Sequence, residues 1–152
     1  MSPFDERVAI RLLVAFLFGA LLGLNRELHG KSAGVRTHAL VCLGAAAATL
    51  TALYTPDGAP ADPNAMSRVI QGILTGIGFL GAGVILHDTP GRVSGLTTAA
   101  TVWIAAVFGF VAGLGSWNIL IVGAGLIVVT LMLGRPLEKL TEKLFKRTPP
   151  SS

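Results

Sequence analysis

The apolar residues of this chain fall into five long runs, at positions 8–24, 35–54, 69–86, 96–114 and 117–134. Each approaches the ~20 residues that a helix needs to cross a bilayer at a rise of about 1.5 Å per residue. The pattern predicts an all-α fold, a polytopic transmembrane bundle of about five spans. A Pro- and Asp-rich loop at 55–64 joins the second span to the third. Between the fourth and fifth there is only a tight turn, Gly113-Leu114-Gly115-Ser116. The first run is not read as a secretion signal. Asp5 and Glu6 spoil a basic leader, and no small-residue cleavage site precedes a soluble body.

Composition agrees. The 152 residues are 52% hydrophobic and 13% charged, with mean hydropathy +0.69, whereas soluble domains carry roughly 25% charged residues. Nineteen glycines suit membrane helices, where Gly is commoner than in soluble ones. The lone cysteine, Cys42, excludes an intrachain disulfide and a zinc site of paired cysteines. The net charge of +4 does not point to nucleic acid, because the cations sit at helix ends, in short loops and in the tail. Nine of the twelve Lys/Arg fall on one side of a five-span topology: Arg26, Lys31, Arg36, Arg92, Arg135, Lys139, Lys143, Lys146 and Arg147. Arg7, Arg11 and Arg68 fall on the other. This bias predicts a cytoplasmic C-terminus and an external N-terminus in the bacterial inner membrane. The domain division is a membrane domain over 1–134 and a basic amphipathic tail over 135–152. Leu137, Leu140 and Leu144 of the tail recur at helical spacing. The tail can lie on the anionic leaflet or form a solvated extension of the last helix.

A shift of 61 residues aligns the first two spans with the next two. Positions 7–48 and 68–109 share ten identities, including Arg7 with Arg68, Gly34 with Gly95 and Thr37 with Thr98, and Glu27 falls on Asp88. A two-span unit repeated in tandem keeps its orientation, so the halves would be related by an axis along the membrane normal.

Two kinds of residue stand out. Gly76, Gly78, Gly81 and Gly83 crowd the third span, where small residues let helix backbones approach closely or expose backbone to a cavity. At the inner ends of the spans lie Asn25, Arg26, Glu27, Arg36, Thr37 and His38, then His87, Asp88, Thr97 and Thr98. With Arg68, these residues other than the two histidines form a candidate polar network, since charges within membranes are costly and tend to be paired. Arg26, Glu27 and Arg36 are candidates for buried pairing, and Lys31 and Arg92 for snorkelling. Arg68 can pair with Asp62 or meet lipid phosphate. Glu27 and Asp88 either form separate salt bridges or converge as ligands for a hard cation such as Mg²⁺. No cofactor and no catalytic constellation is evident, and an enzyme is not expected.

The stretches Gly23-Leu24-Asn25-Arg26-Glu27 and Ala33-Gly34-Val35-Arg36-Thr37-His38-Ala39-Leu40-Val41 carry a family likeness. It continues through Arg68-Val69, Gly76-Ile77-Gly78-Phe79-Leu80-Gly81-Ala82-Gly83-Val84-Ile85 and Val93-Ser94-Gly95-Leu96-Thr97-Thr98-Ala99-Ala100-Thr101-Val102-Trp103. Together they resemble the MgtC/SapB family of bacterial inner-membrane proteins. The resemblance implies a role in Mg²⁺ homeostasis and adaptation to low Mg²⁺ and, in pathogens, survival inside macrophages. Two mechanisms go with it: binding or transport of a divalent cation, or regulation of another membrane complex such as the F-type ATP synthase. The expected partners are the lipid bilayer, a second copy in a homodimer, or another membrane protein, with no nucleic acid. This sequence departs from the family in two ways. It ends soon after the basic tail, where longer members add a soluble domain, and Asn64-Ala65-Met66-Ser67 brings no acid just before Arg68. A transporter should bury Glu27 or Asp88 against a wet cavity. A regulator should expose a small-residue face and tolerate Glu27→Gln.

Overall fold

The computed structural model describes residues 3–54, 62–86 and 94–145. Its regular structure is entirely helical: α1 (Pro3–Leu28), α2 (Val35–Leu53), α3 (Pro63–Leu86), α4 (Leu96–Leu114) and α5 (Trp117–Phe145). Each contains a stretch long and apolar enough to cross a membrane: Glu6–Leu28, Val35–Leu53, Asn64–Ile85, Leu96–Leu114 and Trp117–Gly134. The chain is a multi-pass membrane protein.

The helix ends have local causes. α1 continues past its apolar run until Gly30 adopts a left-handed conformation, φ +64°. The amides of Gly30 and Lys31 then bond back to the carbonyls of Glu27 (2.9 Å) and Arg26 (3.1 Å), the paired closure that stops a helix. The same pair closes α4 at Gly115, φ +74°, with Gly115 N–H to Ala112 O and Ser116 N–H to Val111 O. α3 starts six residues before the apolar run. Pro63 takes its first position, where a missing N–H leaves no bond unmade, and the Asp62 carboxylate accepts from Asn64 N–H at 2.9 Å, the work of an N-cap. α5 runs unbroken through Pro136, so residues 135–145, read as tail, are continuous with the fifth span.

The chain divides into two compact units, Met1–Trp117 and Asn118–Ser152. In the first, α2 and α4 pack along one another. Each is flanked by the outer helix of its own hairpin, and α1 also meets α4 while α3 also meets α2. The interior is apolar and rich in small residues, Ala15, Ala39, Cys42, Ala45, Ala46, Ala105, Ala106 and Ala112, with a few larger ones such as Leu22, Leu50 and Phe108, and it also encloses the polar His38, Thr49, Thr98 and Thr101. The large side chains Leu13, Phe16, Leu17, Leu21, Leu40 and Phe79 are exposed. Water would not tolerate such an arrangement, but lipid does. Between helices already in hydrocarbon, close backbone approach is what holds them together. A Cβ on Gly19 would come within 2.5–2.9 Å of His38 O, Cys42 Cβ and Ala39 Cα, and one on Gly109 would overlap the Cys42 carbonyl.

The tandem repeat has a packing counterpart. Gly23 on α1 abuts Gly34 and Val35 at the start of α2, and Gly95 at the start of α4 abuts Val84 on α3. Residues 23 and 84, and 34 and 95, differ by the same 61 positions.

Candidate functional site

The α1–α2 turn sorts two adjacent charges. With α1 closed at Leu28, Arg26 is turned inward and is 5% exposed, while Glu27 is exposed. Arg26 donates from Nη2 to Thr98 Oγ1 on α4 at 2.9 Å. One turn on, Thr101 Oγ1 lies 2.9 Å from the Thr98 carbonyl and 3.1 Å from Nε2 of His38 on α2. His38 is fully buried, and its Nδ1 lies 2.9 Å from the Gly34 carbonyl. A buried polar thread therefore links α1, α4 and α2.

Its protons can be placed by elimination. A carbonyl only accepts, so Nδ1 of His38 carries a hydrogen toward Gly34 O. The single Thr101 proton has two acceptors in reach. The Thr98 carbonyl accepts it at 2.9 Å, and Nε2 of a neutral imidazole is the alternative acceptor at 3.1 Å. His38 and Thr101 are the members of this network that the sequence reading did not include. The signal available was spacing: His38, Cys42, Ala45, Ala46 and Thr49 share one helix face and are all buried.

The remaining sequence candidates sit differently. Glu27 Oε2 accepts from Val35 N–H at 3.1 Å, where it caps the first turn of α2. Gly34, the residue before that helix, has no side chain to do so, and a Cβ there would come within 2.6 Å of the Glu27 carboxylate. Arg36, Thr37, Arg68 and Thr97 are exposed and Asn25 is half-buried. Asp62 serves α3 through its bond to Asn64. Asp88 and Arg92 lie outside the described residues, as do His87 and Val93. Among the described residues, no three His, Cys, Asp or Glu side chains gather as a metal site would require. A shallow polar cavity of about 400 Å³ opens beside the network, lined by Arg26, Lys31, Ser32, Ser94, Thr97 and Thr98 among others.

The glycines of α3 also divide. A Cβ at Gly81 would meet Ala99 Cβ on α4 at 3.6 Å. Within the α1–α4 unit, one at Gly72, Gly76 or Gly78 would meet nothing within 4 Å. Gly83 is exposed on the same helix. Gln71 and Thr75 are exposed beside these open glycines, four residues apart on one helix face.

At the opposite end of the unit, Arg11 lies inside the first span and donates from Nη1 to the Gly113 carbonyl at 2.9 Å. Its place in the sequence signals this contact, because a charge within an apolar run demands a partner.

The family model for the MgtC family matches residues 12–140. Protein SrpB of Synechococcus elongatus is 43% identical over 141 residues, covering 88% of this chain and 78% of SrpB. Protein MgtC of Salmonella typhimurium is 43% identical over 109 residues, 72% of this chain and 44% of that protein. The putative magnesium transporter YhiD of Escherichia coli K12 is 36% identical over 144 residues, 91% of this chain and 64% of YhiD. The chain thus spans most of SrpB but less than half of MgtC. No solved structure matches the chain significantly.

Proposed function

The chain belongs to the MgtC family, and from that premise we propose that it is a bacterial inner-membrane protein of Mg²⁺ homeostasis that acts as a non-transporting regulator, binding another membrane protein through the open face of α3. One observation carries this reading. The only carboxylate of the described network, Glu27, is exposed and engaged in capping α2, while Gly72, Gly76 and Gly78 leave a helix backbone bare within the unit. A cation carrier needs its carboxylates free and directed at a cavity. A helix-docking regulator needs small residues on an open face. Gln71 adds to this. It lies about 10 Å inside the α3 span at 1.5 Å per residue, and an amide held in hydrocarbon gains from a hydrogen-bonding partner helix. The magnesium link comes from the name of the relative YhiD. On this reading the α1–α2 turn faces the cytoplasm, from the Lys/Arg bias, and the protein is not an enzyme.

The competing reading makes Glu27 and Asp88 ligands of transported Mg²⁺. The test is Mg²⁺ flux into proteoliposomes holding the full chain, beside Glu27→Gln and the double variant Glu27→Gln, Asp88→Asn. The proposal expects flux equal to empty liposomes in all three. Flux in the wild type that disappears in the double variant would sink it.

A further inference from the structure

We infer that the groove between α1 and the α4–α5 turn, lined by Arg7, Ile10, Arg11 and Trp117, binds the phosphate of an anionic phospholipid headgroup. The groove measures about 420 Å³. Arg7 and Arg11 are four residues apart on α1 and so lie on one helix face. Arg11 is half-buried and held in place, because its Nη1 donates to the last-turn carbonyl of Gly113. A cation at a helix C-terminus is favourable, but a carbonyl takes only one of the five guanidinium donors and cancels no charge. The turn keeps space for the group. Gly115 has φ +74°, and a Cβ there would come within 2.8–3.0 Å of the Arg11 guanidinium. Among the described residues, neither arginine forms an ion pair with a carboxylate. Glu6 is adjacent to Arg7 but rotated about 100° around the helix, where it does not face the pair.

Position identifies the ligand. Arg11 lies five residues inside the span that begins at Glu6, a depth of about 7.5 Å at 1.5 Å per residue. Its guanidinium is carried back to Gly113, the last but one residue of the α4 span, and so to the border of hydrocarbon and headgroup, the level at which Trp side chains also settle. Trp117 and Ile10 are both exposed and offer an apolar rim for the glycerol and upper acyl chain. Two guanidinium groups on this helix face, one of them fixed by Gly113, match the oxygens of a phosphodiester, which a guanidinium can bind in bidentate fashion. The internal repeat sharpens the point. Arg7 has its counterpart in Arg68, but Arg11 corresponds to Gly72. The two-arginine site exists in only one half of the molecule.

Lipid retention by the full chain, read by native mass spectrometry from mixed phosphatidylglycerol and phosphatidylcholine micelles, tests the inference. The wild type should retain phosphatidylglycerol preferentially. Arg7→Gln leaves the Arg11–Gly113 bond intact and should lower that preference about fivefold, the effect of removing one cation near a membrane surface. Arg11→Gln should lower it at least as much. Lys31→Gln, which removes the same charge away from the groove, should lower it less than either arginine variant. Equal retention by the wild type and Arg7→Gln would overturn the proposal. So would displacement of the lipid by millimolar inorganic phosphate, which would assign the site to a soluble oxyanion.

Discussion

α1 and α3 hold equivalent places in the two halves of the repeat, yet they use their glycines in opposite ways. On α1, Gly19 and Gly23 are pressed against α2 so closely that a single added carbon has no room. On α3, Gly72, Gly76 and Gly78 face nothing in their own unit. The difference extends to burial: 22% of the most apolar stretch of the α1 span is buried, but only 6% of that of the α3 span. Two spans with the same residue preference therefore do different jobs. One glycine set builds the fold, and the other is surplus to it, which is why we place function on α3.

The comparison can be broken most forcefully at Gly19. Gly19→Leu drives a side chain into the backbone of α2 and should destabilise the purified protein by about 3 kcal/mol, read by unfolding in detergent micelles. A wild-type midpoint would mean the α1–α2 approach is looser than described. Thr98→Val comes next. It removes the hydroxyl that accepts from Arg26 and should cost about 2 kcal/mol, as for a buried bond to a charged group. Glu27→Gln keeps an oxygen for Val35 N–H and loses only the interaction of charge with the helix end. A loss of about 0.5 kcal/mol is expected, and a much larger one would mean that the carboxylate has a further buried partner. Gly76→Leu should change stability by no more than about 0.5 kcal/mol. A large loss would show that the α3 face packs against something in its own chain.

Much of this organisation was legible in the sequence. The starts of α2 and α4, at Val35 and Leu96, follow directly from the apolar runs. The starts of α1 and α3 do not, because a polar turn such as Pro63-Asn64-Ala65-Met66 is helical only by virtue of its cap at Asp62. The site was half visible. Arg26 and Thr98 could be picked out as polar groups at span ends, but their contact spans 72 residues of chain and depends on how α1 turns against α4. His38 was harder still. Whether a histidine near a span end is buried depends on the rotation of its helix, and no single residue announces that. The packing partners of the α3 glycines were illegible for the same reason. A small residue permits close approach, but its own identity does not say whether a neighbour arrives.

Growth at low Mg²⁺ of a strain lacking its own copy of the gene, complemented with wild type, Gly76→Leu or Glu27→Gln at matched membrane levels, tests the central claim most directly. The account predicts that Glu27→Gln restores growth as the wild type does and that Gly76→Leu, though folded, does not. Full growth with Gly76→Leu and none with Glu27→Gln would contradict it and return the function to the carboxylate.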